Sequence, residues 1–195
     1  MDKFRGTMVV AHPDDEFIFA HNLLTCKVSP QGVPITWTVI CMTYTDTMVR
    51  GKEFLRSCKY LGVQGKLLGA VDNPFSPLVI ANLPVLEKAI QESDFLCTHN
   101  PVGEYGHGHH IDTFKAVKAV WETPSESARV PLYVFAQNYT PPDYQYCNID
   151  KLQSPVLTEV YQAQYWTIIN FNLITEGFVN YGKLLPENRA GMLTI

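Results

Sequence analysis

The sequence predicts an α/β fold: a single-domain, Rossmann-like, mostly parallel sheet flanked by helices. Three observations predict it. Short β-branched, apolar runs alternate with helix-patterned segments from residue 7 to residue 136. The strand runs are apolar nearly throughout, as expected of strands covered on both faces. The two stretches richest in reactive side chains, Val9 to Glu16 and Thr98 to His110, each follow a strand, where open α/β sheets bind their ligands.

The elements follow in order. A first strand is expected over residues 7–11 and a helix over 14–26, with Pro13 at its entry and Asp14, Asp15 and Glu16 at its positive end. A second strand over 35–42 leads to a helix over 49–61, and a third over 66–70 to a helix over 78–92. A strand over 94–98, a helix over 111–122 and a strand over 130–136 continue the alternation. Beyond residue 140 a helix over 155–164 and a β-rich or mixed segment over 165–181 are expected. Ser29-Pro30-Gln31-Gly32, Asp72-Asn73-Pro74 and Thr140-Pro141-Pro142-Asp143 carry turn chemistry. None is long enough for a domain linker, so residues 1–195 are read as one domain.

Composition narrows the function. The 195 residues are 46% hydrophobic and 17% charged, against about 25% charged in an average domain, which favours a compact globule over a disordered chain. Lys and Arg are scattered and the formal charge is −4, so the basic stripe that neutralises nucleic-acid phosphates is missing. No apolar run reaches the ~20 residues of a membrane span, and the first residues do not form a signal peptide. Five cysteines without CxxC spacing argue against a disulfide framework and a thiolate zinc site. A soluble, cytoplasmic protein is expected.

His12 and Asp15, three residues apart across a strand-to-helix turn, can converge on one point. Adjacent residues on a helical turn diverge by roughly 100°, so Asp14 can face a water activated beside them. His107 and His110, three apart where a helix begins, share a face. One of them completes a His, Asp, His donor set with a fourth position open, the arrangement of a catalytic zinc. The other is left to stabilise an oxyanion or protonate a leaving amine. The chemistry these residues suit is metal-assisted amide hydrolysis.

Ala11-His12-Pro13-Asp14-Asp15-Glu16 and Gly106-His107-Gly108-His109-His110 together resemble the two motifs of the LmbE-like (PIG-L) family of zinc-dependent N-deacetylases, which act on N-acetylated amino sugars and glycoconjugates. The resemblance implies His12, Asp15 and His110 as metal ligands, Asp14 as general base, His107 as the imidazole assisting the transition state, and Tyr105 as a contact to the oxyanion. Arg50 and Glu53, followed by Leu61-Gly62-Val63, resemble the family's second helix and imply Arg50 as a substrate contact. Tyr161 and Gln164 resemble its late Tyr-x-x-Gln. The implied cofactor is zinc, with iron(II) as the alternative, and the implied partner a small N-acetylglucosamine-type molecule. A homo-oligomer sharing its pocket between subunits is a further expectation.

Two departures stand out. His109 occupies the place of the family's aspartate, a carboxylate that orients the catalytic imidazole, with Glu104 or Asp112 as substitutes. Phe17 to His21 replace the glycine-rich start of the family's first helix. Tyr133 and Phe135 read as core, and Tyr139, Tyr144 and Tyr146 as rim residues able to stack on a sugar. The alternatives to a sugar deacetylase are a metal-dependent amidase of another acyl-amine conjugate and a catalytically silent sugar-binding module.

Overall fold

In a computed structural model the described residues are 3–28, 33–80, 82–140, 142–145, 154–170 and 176–184. Seven strands form one sheet: β1 (Phe4–Val10), β2 (Ile35–Thr43), β3 (Gln64–Ala70), β4 (Phe95–Thr98), β5 (Leu132–Phe135), β6 (Tyr144–Gln145) and β7 (Gly177–Asn180). Their spatial order is β3-β2-β1-β4-β5-β7-β6. The first five are mutually parallel, and β7 and β6 add an antiparallel edge. The mostly parallel sheet expected from the sequence is present, extended by β7, which lies in the segment expected to be β-rich or mixed, and by β6, which was not expected.

Alternation along β1 explains the layering. Met8 and Val10 point into one apolar cluster with Phe17, Leu24, Phe54 and Tyr161. Val9, between them, enters the opposite cluster with Leu86, Ile90, Val117 and Trp121. Helices α1 (Asp15–Cys26) and α2 (Val49–Leu61) cover the first face, and α3 (Leu83–Gln91) and α5 (Gly108–Trp121) the second; the short α4 (Gly103–Gly106) leads into α5. No helix among the described residues is long and apolar enough to cross a membrane.

Helix α2 has the bounds its pattern predicts and ends on Gly62 in the left-handed conformation, φ 64°, the usual helix stop. Near its start, a Cβ on Gly51 would lie 2.0 Å from the Thr45 carbonyl oxygen. Gly51→Ala is therefore expected to cost about 1–3 kcal/mol by overpacking, read as a lower urea midpoint.

Three elements differ from expectation. The helix expected over 78–92 begins only at Leu83, because Pro84 fits no later than the first turn; before it the Leu78 N–H donates to Asp112. The helix expected over 155–164 is a single wide turn, Val156–Val160, closed by Tyr161 N–H to the Val156 carbonyl and ended at Tyr161. Part of the mixed segment after residue 164 is helical, α6 (Tyr165–Asn170), before β7.

Helix α1 is kinked at Ala20 (φ −146°). The kink frees the N–H groups of Asn22 and Leu23, which donate to the buried Glu176 carboxylate at 2.9–3.2 Å. Strand order reverses beside β1, with β2 on one side and β4 on the other. The carboxyl ends of β1 and β4 therefore flank the crevice in which ligands of such sheets bind.

Candidate metal centre and active site

The turn after β1 puts His12, Asp14 and Asp15 in one buried corner. The backbone N–H of His12 donates to Asp15 Oδ2 at 2.8 Å, which folds the carboxylate back over the strand end. Asp14 adopts φ 109°, a conformation uncommon for anything but glycine, asparagine or aspartate. Its N–H donates to Glu16, which in turn accepts from the hydroxyls of Ser57 and Tyr161. Gln164 donates to the Pro13 carbonyl. The late Tyr-x-x-Gln thus clamps the first motif from behind.

The loop after β4 brings in the second motif. Glu104, at φ 59°, turns its carboxylate inward, where Oε2 accepts from His99 Nδ1 at 2.8 Å and His110 Nδ1 at 2.6 Å. His110 Nε2 consequently faces Asp15 Oδ1 at 3.4 Å. It is buried and has no hydrogen-bond partner. His12 Nδ1 stands 3.5 Å from Asp15 Oδ2, and the His12 and His110 rings lie 5.4 Å apart. The structure brings His12, Asp15 and His110 together as the sequence predicted.

Among the described residues, the groups whose donor atoms all lie within 4.8 Å of one another are His12, His107 and His110; His12, Asp72 and His109; and Asp15, His99 and His110; the His12, Asp15 and His110 set shares members with each and is not itself one of them. His99 is ill suited, because its Nε2 accepts the Ala11 N–H at 3.0 Å while Nδ1 donates to Glu104, so neither nitrogen keeps a free lone pair.

Charge follows from this packing. Burial opposes ionisation of Asp15, but the imidazoles of His110, His12 and His99 outweigh it and hold its carboxyl well below the usual range. Burial likewise disfavours charge on His12, yet Asp15 and Asp72 push it up to about 9. Burial and the adjacent Asp15 push Asp14 well above the ordinary carboxylate value, against the pull of Arg50. His107 is pushed down to about 4 by burial and by His110 and His12.

Asp14, Asp15, His12, His107, Tyr105 and Arg50 line a cleft of about 290 Å³. Tyr105 is half exposed and packs edge-on against His107 and His110. Arg50 reaches the Pro13 carbonyl and stands 3.6 Å from Asp14. It also donates to the Tyr44 hydroxyl, which itself donates to Asp72. Glu53 accepts the Ala163 N–H.

Some expectations are corrected. Neither Glu104 nor Asp112 orients His107. Glu104 holds His99 and His110, Asp112 accepts from Leu78 and lies 3.8 Å from Lys115, and His107 Nδ1 is buried without a partner. Tyr139 packs with Phe114, Val134 and Val179, away from the cleft. Tyr146 and the Ser29 to Gly32 turn lie outside the described residues. Asp72 was read only as part of a turn. Its position just beyond β3, on the ligand-bearing edge of the sheet, was the available signal.

A model of the PIG-L family, described as GlcNAc-PI de-N-acetylase, matches residues 7–121. The match spans more than half the chain, and the protein belongs to that family. An uncharacterized protein of Acanthamoeba polyphaga mimivirus is 31% identical over 123 residues, 53% of this chain and 52% of the viral protein. The chain thus spans about half the length of that curated relative. Among solved structures, a conserved protein of Thermus thermophilus superposes with a TM-score of 0.62 at 18% identity, covering 91% of this chain and 94% of that one. N,N'-diacetylchitobiose deacetylase of Pyrococcus horikoshii superposes with a TM-score of 0.58 at 18% identity, covering 94% and 90%. A 4-carboxy-2-hydroxymuconate hydratase of Pseudomonas putida reaches 0.60 at 16% identity, covering 86% and 83%. A deacetylase and a hydratase share this architecture, so these superpositions speak to fold and leave chemistry to the site.

Proposed function

We propose that the chain is a metal-dependent N-deacetylase that removes the acetyl group from an N-acetylglucosamine-type sugar or glycoconjugate, with zinc as its cation. The observation that carries the reading is the convergence of His12, Asp15 and His110 beside Asp14, with His110 Nε2 buried and otherwise unpartnered. The donor set fits the group. Two imidazoles and a carboxylate suit a catalytic zinc, His12 Nδ1 and His110 Nε2 each face one Asp15 oxygen at 3.5 and 3.4 Å, and Glu104 is the outer carboxylate that fixes a ligating imidazole.

When bound, such a cation polarises a carbonyl and makes water more acidic. Asp14, with its raised proton affinity, takes the proton of the attacking water and can pass it to the leaving amine. His107, neutral near pH 7, offers an N–H to the oxygen that gains charge, and Tyr105, whose ring packs edge-on against His107 in the same cleft, offers its hydroxyl. Arg50 and Asp72, linked through Tyr44, present a donor and an acceptor to sugar hydroxyls. The cleft volume is near the low end of the ~300–1,000 Å³ of small-molecule sites, which suits one sugar ring. The one-domain extent of residues 1–195 and the cytoplasmic setting belong to the same proposal, the latter resting on sequence composition alone.

Purified, zinc-loaded protein is expected to release acetate from N-acetylglucosamine conjugates and to stop on addition of a chelator. Acetate release from simple acyl amines but no amino sugar would move the assignment to the amidase alternative. Sugar binding without acetate release at any zinc or iron(II) loading would leave a binding module.

A further inference from the structure

His109, where the resembled motif carries an aspartate, is buried and joins three parts of the site. Its Nε2 lies 2.9 Å from the Asn73 carbonyl oxygen and 3.1 Å from that of Ser76. Carbonyl oxygens only accept, so Nε2 carries a proton and Nδ1 is the nitrogen left to accept one. That nitrogen faces His12 Nε2 at 3.2 Å. The other nitrogen of His12, Nδ1, is the one turned to Asp15. An imidazole that offers Nδ1 to a cation must keep its proton on Nε2, and His109 Nδ1 is the acceptor placed for it. Asp72 Oδ1 stands 3.5 Å from the same His12 nitrogen, a longer second acceptor for its proton, and lies 3.4 Å from His109 Nδ1.

We propose that His109 is a positioning residue: a neutral imidazole that accepts the His12 Nε2 proton, holds His12 with Nδ1 aimed at the Asp15 and His110 side, and ties that orientation to the loop at residues 73–76. The proposal rests on the reading of His12 as a metal ligand. It assigns to a histidine the outer-partner function that carboxylates and backbone carbonyls usually serve for ligating imidazoles, and it directs that function at His12 rather than at His107. The loop it grips carries Pro74, which lines the cleft, and follows Asp72. One ring therefore sets both the aim of a ligand and the position of the substrate wall.

Zinc affinity measured by competition with a chelating dye tests this. His109→Leu is expected to weaken binding by about 10–100-fold, the usual effect of losing an outer partner. His109→Gln, whose carbonyl can accept from His12 and whose amide can donate to the loop carbonyls, is expected to restore most of it. Nitrogen-resolved NMR of the zinc-loaded wild type supplies a signature that does not depend on either variant folding: His12 is expected to show a protonated Nε2 and a metal-bound Nδ1, and His109 a protonated Nε2 with a free Nδ1. Unchanged affinity in His109→Leu, a metal-bound His12 Nε2, or two zinc ions per chain of which His109→Leu removes one would each overturn the proposal. If His12→Ala itself leaves zinc affinity unchanged, the failure belongs to the metal-centre reading beneath it.

Discussion

Asp14→Asn is expected to lower turnover by roughly 10²–10⁴-fold, the range a positioned general base contributes, while bound zinc stays near the wild-type amount. Asparagine keeps the side-chain shape and tolerates the positive φ that Asp14 adopts, so the backbone turn is preserved while proton transfer and the charge facing Arg50 are removed. Alanine at this position would mix the chemical loss with backbone strain, because the same φ is unfavourable for it. Steady-state acetate release, paired with metal analysis of the same sample, separates the two effects. Full activity in the asparagine variant would remove Asp14 from the mechanism.

His110→Ala is the second large effect, and it falls on binding. The substitution removes one of three donors and strips Glu104 Oε2 of its 2.6 Å partner. Zinc affinity is expected to fall by more than the roughly 10–100-fold typical of losing an outer partner. A cation present at a hundred times its Kd stabilises the folded chain by about 2.7 kcal/mol, so wild-type protein should melt higher with zinc than with chelator. That increment should disappear in the variant. The comparison is made within each protein, because loss of one of the hydrogen bonds to the buried Glu104, which keeps His99 and the Asn100 N–H, also destabilises the metal-free form by about 1 kcal/mol. A His110→Ala protein that keeps the zinc-dependent shift would place the centre on another donor set.

Much of this was legible from residue order. The parallel core of the sheet follows from continuous apolar strands, and Val49–Leu61 was bounded correctly because Gly62 is a strong stop. Spacing and strand ends pointed to His12 and Asp15 with either His107 or His110, and only the family resemblance singled out His110. What escaped was tertiary in origin. Strand β6 has two residues, too few to show a period, and the four of β7 were placed only within a broader β-rich or mixed segment. The kink at Ala20 is supported by Glu176, more than 150 residues away. Glu104 holds His110 rather than His107 because its backbone turns through a positive φ, and nothing in local propensity announces that. Asp72 and His99 act through partners brought by other strands, which spacing along one segment does not reveal.

The pairing of β1 with β4, in register from Gly6 with Phe95 to Val9 with Thr98, joins segments nearly ninety positions apart. Non-local pairing of this kind is slow to form. An ion held as proposed, from both sides of that seam, would be a clock for folding: its capture during renaturation would mark the moment the two halves of the sheet meet, and not the earlier collapse of either half.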